Sequence, residues 1–124
     1  MLILIVEDDP LVRGVIASLV ESLGHETYCA EDADRALAYL ISNEADLVLL
    51  DITLPDISGV ELLFRFRELL LPVIIVSGMH EQDMLMKIQK ELGIMSFLSK
   101  PFNEKSLKAA LDTVKDPKKR GYRK

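Results

Sequence analysis

The sequence predicts an α/β domain, a doubly wound five-stranded parallel sheet, from three observations. Strand-like and helix-like segments alternate five times along 124 residues, with no internal repeat. Most of the strand-like runs are wholly apolar, as expected where both faces of a parallel sheet are covered by helices. Four of them end in a polar group: Glu7-Asp8-Asp9 after LILIV, Asp51 after LVLL, Ser77 after VIIV and Lys100 after SFLS. Parallel strands aim their carboxyl ends at one crevice, so residues far apart in sequence are expected to meet there.

Leu2–Val6 is the first strand, apolar throughout. Pro10 then opens a helix at a position where its missing N–H is harmless. The apolar residues Val12, Val15, Ile16, Leu19, Val20 and Leu23 follow the helical period, and Gly24 suits the left-handed residue that ends a helix. His25–Ala30 is a weaker strand, expected at the periphery. Ala33–Asn43 is a helix with Ala36, Leu37, Leu40 and Ile41 inward.

Asp46–Leu50 is the third strand. The turn formers from Pro55 to Gly59 lead into a helix near Val60–Leu70. Pro72 precedes the fourth strand, Val73–Val76. A helix around Glu81–Leu92 places Met84, Ile88 and Leu92 on one face, and Met95–Leu98 is the fifth strand. The last helix, about Asn103–Val114, turns Leu107, Ala110, Leu111 and Val114 to one side, with Asn103 as its N-cap. Right-handed crossovers favour the flavodoxin-like order 2-1-3-4-5, which sets strands 1, 3 and 4 side by side.

Composition narrows the function. Apolar residues make up 49% of the chain and charged residues 28%, which is globular and not disordered. One cysteine, Cys29, leaves no internal disulfide, and no Cys/His set has zinc spacing. No apolar run approaches the roughly 20 residues of a membrane span, and the N-terminus lacks the basic region of a signal peptide. A cytoplasmic protein is the expectation. The net charge of −5 hides an uneven distribution, because residues 115–124 carry six Lys/Arg against Asp116 alone. The chain therefore divides into an acidic body, 1–114, and a basic tail, 115–124. An acidic body argues against direct nucleic-acid binding.

Glu7, Asp8 and Asp51 are expected within a few ångströms of one another. Two carboxylates about 5 Å apart repel by roughly 3 kcal/mol at an effective dielectric near 20. Three ionised together need a proton or a cation between them. Oxygen ligands open to water suit Mg²⁺, which keeps several waters and phosphate oxygens. Asp51 sits where a nucleophile would, since a carboxylate can attack phosphorus and hold the group as an acyl phosphate. Lys100 would neutralise the added charge, or merely pair with Asp51. Ser77 could donate to a phosphoryl oxygen. Asp9 is open between a site acid and a helix N-cap.

In order and spacing, ILIVEDD at 3–9, Asp51-x-x-x-Pro55-x-x-x-Gly59, Ser77-Gly78 and Lys100-Pro101-Phe102 resemble a response-regulator receiver domain over essentially residues 1–114. The resemblance implies that Glu7 and Asp8 hold Mg²⁺, joined by Asp51 and the backbone carbonyl of Thr53. It implies Asp51 as the phosphoacceptor, Ser77 as the switch hydroxyl, Lys100 as the phosphate-sensing lysine and Phe97 as the switch aromatic. It implies a cis Lys100-Pro101 bond. The donor would be a sensor histidine kinase or a phosphotransfer protein, and the response a change in the surface formed by the last two helices and the fifth strand. A downstream protein partner would read that surface, with the chain a monomer or a phosphorylation-dependent dimer. No membrane contact and no turnover of a free metabolite are implied. No output module follows residue 114, so a stand-alone regulator and a receiver from a longer protein both fit.

Leu54 stands where the family often has Met, a like-for-like apolar exchange. Thr53 and Met79, two positions after Asp51 and Ser77, offer no acid or amide to orient a water, so slow loss of the phosphoryl group is expected. Three alternatives are weaker. A flavin-binding electron carrier needs a phosphate-binding loop after the first strand, where Glu7, Asp8 and Asp9 would repel one. An aspartyl phosphatase needs an Asp nucleophile at that place, where Glu7 stands. A phosphorylation-independent docking module has no need of so complete a site.

Overall fold

The computed structural model describes residues 1–51, 59–78, 83, 86, 90 and 96–113. Five parallel strands, β1 (Leu2–Val6), β2 (Glu26–Ala30), β3 (Leu47–Asp51), β4 (Val73–Ser77) and β5 (Ser96–Ser99), form one sheet in the order β2-β1-β3-β4-β5. The helices α1 (Pro10–Ser22), α2 (Ala33–Ser42), α3 (Gly59–Glu68) and α4 (Glu104–Asp112) accompany them. Fold class and strand order are those expected. The helix expected around Glu81–Leu92 lies largely outside the described residues, with Asp83, Met86 and Lys90 helical. The basic tail lies outside them altogether. No helix of the described residues is long and apolar enough to cross a membrane.

Alternation along the strands builds two cores. Leu4, Val6, Val48, Leu50, Val73 and Ile75 face α2 and α3, meeting Ala33, Ala36, Leu62, Leu63 and Phe66. Ile3, Ile5, Leu47, Leu49, Ile74 and Val76 face α1 and α4, meeting Ile16, Val20, Leu107 and Leu111. Because both faces are covered, β1, β3 and β4 are apolar almost end to end. At the sheet edge, β2 is mostly exposed, which accounts for its weaker pattern.

Two residues expected inward are outside. Val15 is 60% exposed and Ile41 84%. One residue advances a helix by about 100°, so Val15 turns away from the stripe centred on Ile16 and Val20, towards Phe102. Ile41 likewise passes the sheet-facing line of Ala33 and Ala36 and lines a groove with Leu69 of the α3 end.

The helix ends explain the boundaries. Asp9 caps α1, its carboxylate accepting from Leu11 N and Val12 N, which assigns it to the helix. Asn103 caps α4 in a reciprocal box with Ser106. At the end of α1, Gly24 takes φ +92, with its N–H on Glu21 O and that of His25 on Val20 O. The end of α3 repeats these bonds, Leu70 N to Arg67 O and Leu71 N to Phe66 O, but with Leu70 at φ +60. A branched side chain is strained there, whereas glycine is not. Asp46, expected to begin β3, instead caps β1, its carboxylate accepting from Leu2 N at 2.8 Å.

Candidate functional site

Register alone assembles the rim of the site. Val6 pairs with Leu50, so Glu7 follows one step above the β1–β3 pair at the level of Asp51. Asp51 pairs with Val76, and Ser77 with Ser99. The Lys100 amide donates to the Ser77 carbonyl at 2.7 Å, extending the ladder by one residue. Glu7, Asp51, Ser77 and Lys100 therefore stand along the carboxyl edge of β1, β3, β4 and β5. The crevice lies where the strand order reverses between β1 and β3.

Three of these groups are buried although polar: Glu7 and Asp51 are each 2% exposed and Ser77 is 1%. Single carboxylate oxygens of Glu7, Asp8 and Asp51 all lie within 4.8 Å of one another, with Asp8 exposed to solvent. Lys100 Nζ approaches both Glu7 Oε1 and Asp51 Oδ2 at 3.4 Å. Burial, and then a hydrogen bond with Asp51, push the Glu7 carboxyl up from 4.5 to about 7. Burial opposes the charge on Lys100, but attraction by Asp51 and Glu7 outweighs it and raises the pKa of the ammonium. Among the described residues, Ser77 Oγ is the buried side-chain atom that finds no hydrogen-bond partner. The Lys100-Pro101 peptide is cis, as the resemblance implies.

The donor set fits a hard divalent cation. It is all oxygen, it is anionic, and Asp8 leaves one side to water. The orphaned Ser77 hydroxyl and the Lys100 ammonium suit a further group rich in acceptor oxygens, which a phosphoryl group is. Phe97 is half-buried against the α2–α3 core, one β5 position from Leu98, which faces the other core. Thr53, expected to contribute its carbonyl, lies outside the described residues, as does Met79.

One residue of the site escaped the sequence reading. Arg13 of α1 sends Nη1 back to the carbonyl oxygen of Glu7 at 2.8 Å and lies 3.5 Å from that of Asp8. The available signal was positional: a long cation one turn into a helix that starts beside the two acids.

The comparisons with known proteins agree with this fold. The family model of the response regulator receiver domain matches residues 3–112. The chain is 38% identical over 117 residues to the phosphate regulon transcriptional regulatory protein PhoB of Pseudomonas aeruginosa, covering 90% of this chain and 50% of PhoB. It is 32% identical over 111 residues to sporulation initiation phosphotransferase F of Bacillus subtilis, covering 88% of this chain and 89% of that protein. A receiver-domain protein of Clostridium thermocellum superposes with a TM-score of 0.84 at 27% identity, over 95% of this chain and 96% of the other. The chain spans half or less of the length of the first curated relatives it matches. Shared sheet order and a family match across almost the whole described chain lead to one conclusion: the chain belongs to the response regulator receiver domain family, the signalling modules of two-component systems.

Proposed function

We propose that this receiver takes a phosphoryl group onto Asp51 from a phosphohistidine of a sensor kinase or phosphotransfer protein, with Mg²⁺ held by Glu7, Asp8 and Asp51. The observation that carries the reading is the buried Asp51 carboxylate, ringed by Glu7 and Asp8 with Lys100 Nζ at 3.4 Å. The similarity to a phosphotransferase of nearly the same length supports it. When bound, the cation supplies positive charge that screens the three carboxylates from one another and from the incoming phosphoryl oxygens.

The chain's own groups do the rest. An oxygen of Asp51 attacks phosphorus in line as the P–N bond to the donor imidazole breaks, and the imidazole leaves with that electron pair. Lys100 moves from pairing two carboxylates to pairing the new phosphoryl oxygens. Ser77 turns its unpartnered hydroxyl onto one of those oxygens, relieving a buried orphan that costs about 1–3 kcal/mol. Phe97, on the strand next to Ser77, is the residue through which that movement reaches the surface. The two arrangements of Ser77 and Phe97 form a two-state element that a local charge change biases. A groove of about 430 Å³ lined by Leu11, Val15 and Phe102 adjoins Lys100, giving the phosphoryl donor an apolar rim to rest on.

The test is intact mass after incubation with acetyl phosphate. Wild type gains one phosphoryl group with Mg²⁺ and none in chelator, and Asp51→Asn gains none. A wild type that stays unmodified both with acetyl phosphate and with a phosphorylated histidine kinase contradicts the proposal and leaves a phosphorylation-independent docking module in its place.

A further inference from the structure

The turn between β1 and α1 carries two of the three acids of the pocket on only three residues. Its geometry is fixed from several sides. The Glu7 amide donates to Ala30 O at 3.1 Å, and the Asp9 amide to Glu7 Oε2 at 3.2 Å. Asp9 is tied to the first turn of α1 by its cap. The carbonyls of Glu7 and Asp8 both face the Arg13 guanidinium, at 2.8 and 3.5 Å. Arg13 itself is anchored one turn into α1, its amide donating to Asp9 O at 2.8 Å. The two cations at the site therefore act differently: Lys100 meets the carboxylates, Arg13 the main chain beneath them.

Resting on the proposed cation pocket, we infer that Arg13 is its positioning residue. The guanidinium pins the Glu7 and Asp8 carbonyls, so that both carboxylates stay convergent with Asp51, without itself touching cation or phosphoryl group. Both contacts come from one nitrogen, Nη1, held in place by the rigid guanidinium plane, whereas a lysine ammonium on its flexible stem is less fixed in direction. Groups that orient metal ligands commonly affect affinity by 10–100-fold, and this half-buried clamp on main chain should fall near or below the lower end.

Electrostatics and positioning predict opposite signs, which makes the test sharp. Removing a positive charge near a cation site should tighten binding if charge alone matters. Loss of positioning should weaken it. Mg²⁺ is titrated calorimetrically into the full chain as wild type, Arg13→Met and Arg13→Lys, all confirmed folded by circular dichroism. Arg13→Met should raise the Kd for Mg²⁺ by about 3- to 10-fold, with Arg13→Lys between it and wild type. In the metal-free protein, the Asp9 amide should exchange faster in Arg13→Met. Acetyl phosphate labelling should need more Mg²⁺ to reach half its maximal rate, while the rate at saturating Mg²⁺ stays near that of wild type. Unchanged or tighter Mg²⁺ binding by Arg13→Met, or a loss of rate that excess Mg²⁺ does not restore, overturns the role of Arg13 alone. A wild type that binds no Mg²⁺ overturns the pocket itself, and the role of Arg13 with it.

Discussion

Replacing Glu7 by Gln should stabilise the metal-free protein, although it removes a partner of Lys100. In the folded chain the Glu7 carboxyl sits at about 7, against an ordinary 4.5. A raised carboxyl holds its proton more tightly folded than unfolded, so stability is greatest at low pH and is lost as pH climbs from about 4.5 through 7. At about 1.4 kcal/mol per pH unit the loss is at most about 3 kcal/mol, and water reaching the pocket beside Asp8 reduces it to about 1–2 kcal/mol. Glutamine imitates the protonated acid in shape and charge, and its oxygen can still accept from the Asp9 amide, as Glu7 Oε2 does. Lys100 keeps Asp51. In chelator at about pH 8, Glu7→Gln should therefore unfold about 3–8 °C above wild type, and at about pH 4 the two should coincide. Excess Mg²⁺ should stabilise wild type more than the variant, which keeps only Asp8 and Asp51 as carboxylate ligands. A variant less stable than wild type at the higher pH, or a gap equal at both, would refute the reasoning.

Three further outcomes follow from the same structure. Because Mg²⁺ must displace the Glu7 proton, its apparent Kd should rise towards tenfold per pH unit below about 7 and level off above it, as read by calorimetry; a flat profile contradicts the raised carboxyl. Leu70→Gly should raise stability by about 0.5–1 kcal/mol in denaturant melts, since it relieves a left-handed leucine, whereas Gly24→Ala at φ +92 should lower it by about 1 kcal/mol. The phosphorylated form should decay slowly in intact-mass time courses, because neither Thr53 nor Met79 carries an acid or amide to orient the hydrolytic water. A half-life of seconds contradicts that expectation.

The sheet was legible because β1, β3 and β4 are apolar on both faces, a pattern only a covered parallel strand requires. The rim residues were legible for the same reason, since Glu7, Asp51, Ser77 and Lys100 end strands that parallel pairing must align. Less visible were features that no period encodes. Arg13 acts on main chain, and nothing in the pattern of side chains reveals a bond to a carbonyl. Leu70 occupies a position where composition would lead one to seek glycine. Val15 and Ile41 fit the helical period yet stand at the margins of their apolar stripes, where a single step of rotation decides between core and groove. Ser106 completes the α4 cap from a place where Glu or Gln is the usual partner.

The central claim is that Asp51 carries the phosphoryl group. The most direct measurement is borohydride reduction of the labelled protein followed by peptide mapping, because an acyl phosphate on Asp is reduced to homoserine whereas an ester on Ser77 is not. Conversion at position 51, dependent on Mg²⁺ and absent without phosphoryl donor, is the predicted result. Conversion at Asp8 or Asp9, or a phosphoryl group that survives borohydride unchanged on Ser77, would contradict the account.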